Sequence, residues 1–552
     1  MKHFHWVSLG LLCVGALLLG RPALGNGTPG LFVPEDVPAS MALEWKFSSV
    51  DLGVPLPSAS YPASPLLAGD VIYFCGQGLT PDRAPTATVY AVRVDTGEKL
   101  RNGEELWDHP LEGSAFGAPL LHEGKLYLAD SKGYLNVLDA RTGVEDSRYK
   151  LNRGTQCTPV MHEGIIYIGD ESGEVAAIEA KTLTAKWKVD AKWGVRAPIT
   201  LYPEQNLLYV LTAQPMMYAL RIKDGTVMWP HPVPGSGGAP TAAPIVWESP
   251  RGPLLYIARG NTLLCMNAIS GRDRWKVNVG ELGSRRAMRI VGSPVLVTDV
   301  EGGGAVIYVA CDDKTVMTFN AVTGAPTWKG ALPSLQVAHA PKSGPVVTRN
   351  AVFVATEGGF LYALDRKEGT ALWKYRYQAP DDIWVQMRMQ SSSMVVPPFV
   401  SPERILALAD DGTLLCFTPN AVDTTPPEVT GTYPTSQTPV YGRPPVFFRA
   451  YITDEGSGLD QTKITFKLDG EVKEDSKFNP ITGELTYRTP FTQPVKPLDD
   501  GRHTVVVTAT DWRGNTVEHR WVFEVDNRLI PAPLVNPGYG GGMGGFGVGP
   551  GW

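Results

Sequence analysis

Cysteine, charge and catalytic motifs are scarce in this 552-residue chain, and each shortage excludes something. The six cysteines never form a Cys-Cys or Cys-x-x-Cys pair, so vicinal disulfides, thiol-redox motifs and cysteine metal sites are excluded. A net charge of −6 gives no expectation of polyanion binding, so nucleic acid is not a predicted partner. No G-x-S-x-G or H-E-x-x-H motif occurs, so the motifs give no positive sign of catalysis.

A long apolar run lies at the start of the chain, over residues 7–19. It follows Lys2 and precedes the small-x-small sequence Ala23-Leu24-Gly25, an order that predicts a secretory signal peptide over residues 1–25. The run is short for a membrane span, and Leu12 is not the small residue that should precede Cys13 in a lipid-anchored protein. We therefore expect an exported protein, periplasmic or extracellular, whose mature form has no transmembrane segment.

Removal of the signal peptide leaves an odd number of cysteines, so at least one thiol is unpaired. The five that remain are Cys75, Cys157, Cys265, Cys311 and Cys416. Most of them end apolar runs, which predicts buried thiols that pack as small apolar residues.

A tryptophan-centred repeat fills the middle of the chain. Each copy has a small residue, a turn and a Trp ten residues after the small residue; in the clearest copy these are Ala363, Gly369 and Trp373. Looser copies upstream end at Trp107 and Tyr149. A period of about 40–50 residues with strand-like segments is typical of a β-propeller.

Each copy contains short apolar runs joined by Gly, Asn or Asp turns, which predicts a four-stranded antiparallel blade. The Trp is expected to fill the wedge between neighbouring blades, with its indole N–H bonded to one acceptor. The eighth copy, residues 395–417, has no Trp of its own, whereas a Trp strand stands alone near residue 45. We therefore predict an all-β chain with an eight-bladed propeller over residues 40–420, preceded by a linker at 26–39 and closed by the N-terminal strand. The predicted structural tryptophans are Trp45, Trp107, Trp187, Trp229, Trp275, Trp328 and Trp373.

The turn-to-Trp spacing resembles the A-x-D-x-x-T-G-x-x-x-W motif of the pyrroloquinoline quinone (PQQ)-type repeat in quinoprotein alcohol dehydrogenase-like propellers. The resemblance covers most of residues 40–420 and implies the fold; the family includes both PQQ dehydrogenases and propellers without a cofactor. Its dehydrogenases hold PQQ with a vicinal disulfide, a stacking Trp and a Ca²⁺ bound by acidic ligands, and use an Asp as the base. The disulfide is absent here, and the candidate inner loops show no obvious acidic cluster. We expect no catalytic residue, no metal and no cofactor, with PQQ and Ca²⁺ only if the chain is a dehydrogenase.

The C-terminal part has a different pattern. A proline-rich linker over residues 421–428 precedes alternating strands and Gly turns over 429–527, which predict a β-sandwich. Stretches such as DTTPPEV and DGRHTVVVTATD resemble bacterial immunoglobulin-like modules. Its turn residues Asp454, Glu455, Asp460, Asp511 and Asn515 are candidates either for Ca²⁺ binding or, as we prefer, for capping of turns. The Gly-rich tail, residues 528–552, is predicted to be disordered.

The loops that precede the innermost strand of each blade are rich in basic and aromatic residues. The candidate ligand-binding residues of this predicted funnel are Arg153, Trp193, Arg196, Arg285, Arg286, Arg289, His339, Lys342, Trp384 and Arg388. Such a surface suits carboxylates, acidic glycans, an acidic peptide or PQQ. The alternative is that these side chains are solvated or paired across blades.

The preferred functional hypothesis is a non-catalytic binding or scaffold module at the cell envelope, with an envelope protein or glycan as its partner. One alternative is a PQQ-dependent alcohol or sugar dehydrogenase. Another is a carbohydrate-binding surface protein that uses Trp193, Trp384 and the sandwich.

Overall fold

The computed structural model describes residues 32–38, 40–48, 64–79, 85–98, 101–102, 105–235, 242–282, 288–300, 304–327, 334–336, 339–377, 393–394, 396–410, 412–480, 482–491, 494 and 496–529. The chain divides into two compact units. The first comprises residues 1–425 together with Glu455–Gly458, and the second comprises Pro426–Asp454 and residues 459–552. The division at residue 425 falls inside the predicted linker 421–428.

Short strands joined by tight turns form eight four-stranded antiparallel sheets in the described part of the first unit, here called blades 1 to 8 in chain order. Two strands, β1 (Phe32–Val33) and β2 (Ala42–Ser48), precede blade 1 in the sequence. Blade 1 contains β3 (Leu66–Ala68), β4 (Val71–Leu79), β5 (Pro85–Arg93) and β8 (Asp108–Leu111), with β6 (Arg101–Asn102) and β7 (Glu105–Leu106) as a separate hairpin. Blade 2 contains β9 (Leu120–His122), β10 (Lys125–Ala129), β11 (Tyr134–Asp139) and β12 (Glu145–Lys150). Blade 3 contains β13 (Val160–His162), β14 (Ile165–Gly169), β15 (Glu174–Glu179) and β16 (Thr184–Asp190). Blade 4 contains β17 (Thr200–Tyr202), β18 (Leu207–Leu211), β19 (Met216–Arg221) and β20 (Val227–Pro232), with a 3₁₀ turn at Pro203–Gln205.

The later blades repeat this plan. Blade 5 contains β21 (Ile245–Ser249), β22 (Gly252–Arg259), β23 (Thr262–Asn267) and β24 (Asp273–Asn278), followed by the helical turn α1 (Val279–Leu282). Blade 6 contains β25 (Ile290–Val300), β26 (Gly304–Cys311), β27 (Thr315–Asn320) and β28 (Ser334–Gln336). Blade 7 contains β29 (Val346–Thr348), β30 (Ala351–Ala355), β31 (Phe360–Asp365) and β32 (Ala371–Arg376), with a 3₁₀ turn at Glu357–Gly359. Blade 8 contains β33 (Phe399–Val400), β34 (Ile405–Leu408) and β35 (Thr413–Thr418), and its fourth strand is β2. The predicted all-β class and propeller fold are confirmed.

The N-terminal strand closes the ring of sheets. β2 pairs with β35 and places Trp45 beside Cys416 in blade 8. The Trp45 indole N–H donates to the carbonyl of Val94 in blade 1, at 3.1 Å. Buried side chains of blades 8 and 1 form one apolar cluster, so the last sheet packs on the first and no blade edge between them is left open.

Each repeat tryptophan joins its blade to the next one. The Trp187 indole N–H donates to the Ile222 carbonyl in the following blade at 2.9 Å. Gly225, in that same turn, lies so close that a Cβ there would be 2.7 Å from the Trp187 ring. The same bond recurs from Trp229 to the Ile269 carbonyl at 2.7 Å and from Trp275 to the Ala321 carbonyl at 3.1 Å. These three tryptophans therefore fill the wedge between blades and use the N–H there, which accounts for the turn-to-Trp spacing, whereas the buried Trp107 N–H has no hydrogen-bond partner among the described residues.

In blades 2, 6 and 7 the repeat turn is held by an acidic or amide side chain. Asp139 Oδ1 accepts the backbone N–H groups of Arg141 and Thr142 and the Thr142 hydroxyl, all at 3.0–3.1 Å. Asn320 and Asp365 cap the equivalent turns in blades 6 and 7. Gly143 then takes φ +73°, a left-handed backbone that favours glycine.

Blade 6 departs from the repeat. Its fourth strand, β28, pairs with Thr315–Met317, and before it Pro326 makes an isolated bridge with Phe319. The Phe319–Pro326 bridge occupies the position that the Met266–Asp273 pair occupies in blade 5, but the strand that pairs with Thr315–Met317 lies further along the chain than its blade 5 equivalent. Trp328, predicted as the blade tryptophan here, lies outside the described residues.

The segment over residues 32–38, inside the predicted N-terminal linker, has a defined place on blade 7. β1 pairs in parallel with β29, the innermost strand of that blade, opposite Val347 and Thr348. The Val37 N–H donates to the Asn350 side-chain oxygen at 3.0 Å, and the Asn350 amide donates to the Val37 carbonyl at 2.7 Å. The linker therefore contains a fifth strand on blade 7, a feature that no periodic pattern in the sequence indicates.

Residues Glu455–Gly458 belong to the first unit although they follow its main segment by some thirty residues. The Trp373 indole N–H donates to the Ser457 carbonyl at 3.0 Å, in a buried position. For the other bonded tryptophans of the repeat, the acceptor is a carbonyl in the turn after the third strand of the following blade. Blade 8, which follows Trp373, has no such turn after β35, and Ser457 supplies the carbonyl instead.

The second unit is a β-sandwich. One sheet has the strand order β36 (Glu428–Tyr433), β37 (Phe447–Thr453), β41 (Glu484–Arg488) and β40 (Lys477–Asn479). The other has β39 (Glu471–Val472), β38 (Leu459–Leu468), β42 (Gly501–Asp511) and β43 (Thr516–Val525). Buried residues of both sheets, with Phe448 and Phe466 at the centre, form one core. An immunoglobulin-like topology for this sandwich stays a prediction.

Candidate functional site

The connections between blades and the turns between second and third strands lie at one end of the blades, here called the loop face. A repeated backbone bond joins the two kinds of loop: Glu171 N–H donates to the Gly154 carbonyl at 2.9 Å, and Glu357 N–H donates to the Ala340 carbonyl at 3.0 Å. Blades 2, 4, 6 and 8 have the equivalent bond. The loop face is thus built on a regular hydrogen-bonded frame rather than on independent loops.

Two fully buried aspartates of the loop face are structural. Asp130 Oδ1 accepts the backbone N–H groups of Lys132 and Tyr134. Asp170 accepts those of Ser172 and Glu174 through Oδ1 and that of Arg153 through Oδ2, at 2.8–3.0 Å. Because these carboxylates are consumed by backbone donors, neither is available as a base or a metal ligand.

Basic residues predicted for the funnel pair with loop carboxylates. Arg196 Nε lies 2.8 Å from Glu171 Oε1, and Arg289 Nε lies 3.0 Å from Asp312 Oδ2. Lys342 forms an ion pair with Glu357. The sequence left open whether these side chains bind a ligand or pair with other residues of the chain. At Arg196, Arg289 and Lys342 the structure shows ion pairs.

Two of the other predicted funnel residues are exposed to solvent, and four lie outside the described residues. The Arg153 side chain is exposed, and Trp193 is 37% exposed on the same face. Arg285, Arg286, Trp384 and Arg388 lie outside the described residues, so their convergence stays a prediction.

A cluster at the loop-face end of blade 7 combines three basic side chains with one buried ring. We call His339, Phe360, Lys374 and Arg376 the blade 7 cluster. The His339 ring stacks on Phe360 with centroids 4.7 Å apart, and Lys374 Nζ and Arg376 Cζ lie 4.6 and 5.6 Å from the Phe360 centroid. Three potential cations thus surround a single aromatic side chain.

The electrostatics of the blade 7 cluster reflect its burial. Burial, reinforced by the Arg376 charge, lowers the pKa of Lys374 to about 8. Burial lowers the pKa of Arg376 to about 10. The pKa of His339 is lowered by burial and by the neighbouring cations Lys314, Lys374 and Arg376, against a smaller opposing effect of Glu357. Burial and the neighbouring cations therefore make the protonated, charged forms of these side chains less favourable than they are in water.

Family comparison agrees with the propeller architecture. The family model described as "Outer membrane protein assembly factor BamB" matches residues 86–301 and 259–421, which together span more than half of the chain. The chain belongs to this family.

The individual relatives are distant. The BamB of Nitrosomonas eutropha is 26% identical over 192 residues, which cover 30% of this chain and 46% of that protein. The serine/threonine-protein kinase AfsK of Streptomyces griseus is 28% identical over 145 residues, 26% of this chain and 16% of the kinase. The chain thus spans less than half the length of these curated relatives. A quinohemoprotein alcohol dehydrogenase of Pseudomonas putida HK5 aligns with a TM-score of 0.55 at 12% identity, over 77% of this chain and 83% of that one, and shows the shared fold alone.

Membership of the BamB family leaves the sandwich outside the matched residues. In that unit Asp460 Oδ1 accepts the Thr462 N–H and hydroxyl, and Asp511 Oδ1 accepts the N–H groups of Arg513 and Asn515. Both carboxylates cap turns, and Ca²⁺ binding by the sandwich stays an open alternative prediction.

Lys374 and Arg376 are not among the residues predicted from the sequence. The prediction covered only the loops before the innermost strands, whereas both residues lie on the last strand of blade 7. The repeat register contains the signal. The third residue after the repeat Trp is Ser48, Asp190 or Asn278 in blades 8, 3 and 5, and it is arginine in blade 7 alone.

Among the described residues, no helix is both long and apolar enough to span a membrane.

Proposed function

We propose that this chain is an exported, non-catalytic PQQ-like propeller that serves as a binding or scaffold module at the cell envelope. The observation that carries the proposal is the pairing of the described loop-face carboxylates: Glu171, Asp312 and Glu357 each hold a basic side chain. Within the described part of the first unit, no three His, Cys, Asp or Glu side chains converge at metal-ligand distance. Dehydrogenation by a quinoprotein requires such ligands for Ca²⁺ and a free carboxylate as base, so the described loop face favours binding over catalysis.

The envelope location rests on two supports. Residues 1–25 have the pattern of a secretory signal peptide. Members of the family are named as outer membrane protein assembly factors, so an envelope protein is the first partner to test, with an envelope glycan as the second. The loop face suits this role because a rigid ring presents its loops without an ordering cost on binding.

A PQQ titration of the mature protein separates this proposal from the dehydrogenase alternative. The purified chain is mixed with PQQ and Ca²⁺, followed by tryptophan fluorescence, and then assayed for dye-linked oxidation of alcohols and sugars. We expect no turnover. Saturable binding with turnover would overturn the non-catalytic proposal.

Partner capture tests the binding role directly. A photo-crosslinker placed at Trp193, which is exposed on the loop face, should trap a specific envelope protein in intact cells. The matched control carries the crosslinker at Val144, which is exposed in a turn at the opposite end of the blades. Equal trapping at both positions, or trapping at neither, would count against a loop-face binding role.

A further inference from the structure

One histidine of the sandwich has an oxygen acceptor at each ring nitrogen. His503, on β42, lies with Nδ1 2.6 Å from Asp469 Oδ2 and with Nε2 2.8 Å from the Asp499 carbonyl oxygen. Its side chain is 11% exposed, and its ring stacks on Phe523 of the adjacent β43 with centroids 5.4 Å apart. The imidazole is therefore fixed in one orientation between the two oxygens.

Both oxygens require a proton from the ring. A neutral imidazole carries a single N–H, so its other nitrogen would direct a lone pair at an oxygen 2.6 or 2.8 Å away. The imidazolium carries an N–H at each nitrogen and satisfies both acceptors at once. The geometry therefore favours the charged form of His503 in the folded sandwich.

The carboxylates beside the ring act in the same direction. Burial lowers the pKa of His503, but the hydrogen bonds to Asp469 and to the Asp499 carbonyl, together with the negative charges of both residues, more than offset this effect. The pKa of His503 is therefore raised above its ordinary value of about 6.5.

Other charged groups on the neighbouring segments have partners of their own. At β39, Lys473 Nζ lies 2.7 Å from Glu471 Oε2. Before β42, Asp500 Oδ1 accepts the Asn527 N–H at 2.6 Å. On β42 itself, Arg502 precedes the histidine and is paired in register with Glu524 of β43. Asp469 and Asp499 are thus the carboxylates that face the imidazole.

The histidine joins segments that are separate in the chain. Asp469 lies in the turn between β38 and β39, with φ +50°, and Asp499 precedes β42. The turn is also bonded to β42 through the backbone: Asp469 Oδ1 accepts the Thr504 N–H, and the Asp469 N–H donates to the Thr504 carbonyl, both at 2.8 Å. A protonated ring therefore holds the turn carboxylate and the segment before β42 at the same time.

We propose that His503 is a pH-sensitive latch of the sandwich, which as an imidazolium fastens the β38–β39 turn and the segment before β42 and releases one of them when it loses its proton. The latch goes beyond the binding role of the loop face and does not depend on it. Its contribution to stability is fully present below about pH 6.5, where the histidine of the unfolded chain is protonated too. That contribution is lost as the pH rises through the higher pKa of the folded state.

Nuclear magnetic resonance titration of the mature chain, labelled with ¹³C at the histidine Cε1, measures protonation of the ring directly. The His503 signal is identified by its absence from His503→Gln, and we expect it to titrate above pH 6.5. A signal that titrates at or below this pH would overturn the proposal. If His503→Gln does not fold, Asp469→Asn identifies the signal instead. That change keeps an acceptor for the Thr504 N–H but removes the charge, so it should move one titration to lower pH.

Hydrogen–deuterium exchange tests the release of the turn. After correction for the intrinsic pH dependence of amide exchange, protection of residues 466–476 should fall at least about threefold from pH 6 to pH 9. In His503→Gln the protection should be low at both pH values. The matched control is His519→Gln, because His519 lies on β43 of the same sandwich and makes a ring contact with Trp521 but has no hydrogen-bond partner among the described residues. This variant should keep the fall.

Two results of the exchange experiment would contradict the latch. One is equal protection at pH 6 and pH 9 in the unsubstituted chain. The other is a fall in His503→Gln as large as that in the unsubstituted chain, which would assign the pH dependence to another group.

Discussion

At the scale of single residues, the contact that orders the propeller is a tryptophan against a glycine of the next blade. Gly143 has φ +73°, and a Cβ there would lie 2.8 Å from Cδ2 of Trp107. We expect Gly143→Ala to lower the free energy of unfolding by about 2 kcal/mol or more, since it combines a left-handed alanine with overpacking of the ring.

The matched control for that change is Gly124→Ala. Gly124 has φ +76°, but nothing lies within 4 Å of an added Cβ. Urea unfolding of Gly124→Ala therefore measures the cost of a left-handed alanine alone. Urea unfolding of Gly143→Ala measures that cost together with the cost of crowding the Trp107 ring. Equal losses would show that the tryptophan contact contributes nothing to stability.

The cysteines make a second prediction at this scale. All five cysteine thiols of the described residues are free and buried. Burial raises the pKa of Cys75 to about 12, and burial raises the pKa of Cys157 to about 11, so thiolate is rare in the folded protein. We expect Ellman's reagent to detect no thiol in the native protein and five after unfolding in guanidinium chloride. Fast reaction of any thiol in the native state would contradict the burial of that residue.

At the scale of elements, the strand that closes the ring should matter more than the strand before it. A chain beginning at residue 40 loses β1 but keeps β2, whereas a chain beginning at residue 50 loses both. The second truncation leaves β35 unpaired and removes Trp45 and Phe47 from the interface with blade 1. We expect a modest fall in Tm for the first chain, and aggregation or a large fall for the second.

Complementation completes the test of the closing strand. A synthetic peptide of residues 40–48, added to the chain that begins at residue 50, should restore Tm towards that of the longer chain. A peptide with Trp45 replaced by Ala should restore less, because its indole N–H bond to the Val94 carbonyl is missing. Equal stability of the two truncated chains would show that β2 does not close the propeller.

Elements with a local, repeated signal were predictable from the sequence, and elements specified by distant contacts were not. The turn glycines and repeat tryptophans recur at fixed spacing because every blade meets the next through the same contact. β1 has two residues, and its partner Val347 lies more than three hundred positions away, so no periodic pattern indicates it. Blade 6 also departs from the pattern, because its fourth strand, β28, begins only at Ser334. The blade 7 cluster was not predicted for a third reason. Lys374 and Arg376 lie on a strand and not in a loop, and their contacts with Phe360 and His339 join three separate segments of blade 7.

At the scale of the whole molecule, each blade packs on its neighbours, so we expect the propeller to unfold as one unit. The shifted pKa values of its buried groups then all contribute to a single free energy of unfolding. This makes alkaline pH a global probe. Burial raises the pKa of Cys75, Cys265 and Cys416 to about 12, whereas an unfolded thiol ionises near a pKa of about 8.5. Between these values the folded state keeps protons that the unfolded state has lost, so stability present below about pH 8.5 is lost as pH rises towards 12.

Lys374 of the blade 7 cluster acts in the opposite direction, and Arg376, whose pKa burial lowers to about 10, acts with it above that pH. Burial lowers the pKa of Lys374 to about 8, so the unfolded ammonium keeps its proton up to about pH 10.4 after the folded one has lost it. Its contribution to stability therefore rises over that range. Five buried thiols oppose these two cations, and the thiols should dominate.

We therefore expect the urea midpoint, followed by far-ultraviolet circular dichroism, to fall steadily from pH 8 to pH 11. Cys75→Ala should lower the midpoint at pH 7 through the cavity it creates, yet its midpoint should fall less steeply with pH because one titrating thiol is gone. Lys374→Met should do the reverse, since it removes the group whose contribution rises, and its midpoint should fall more steeply than that of the unsubstituted chain. A midpoint that is constant up to pH 11 would mean that the thiols ionise inside the folded propeller, which their burial between strands does not permit.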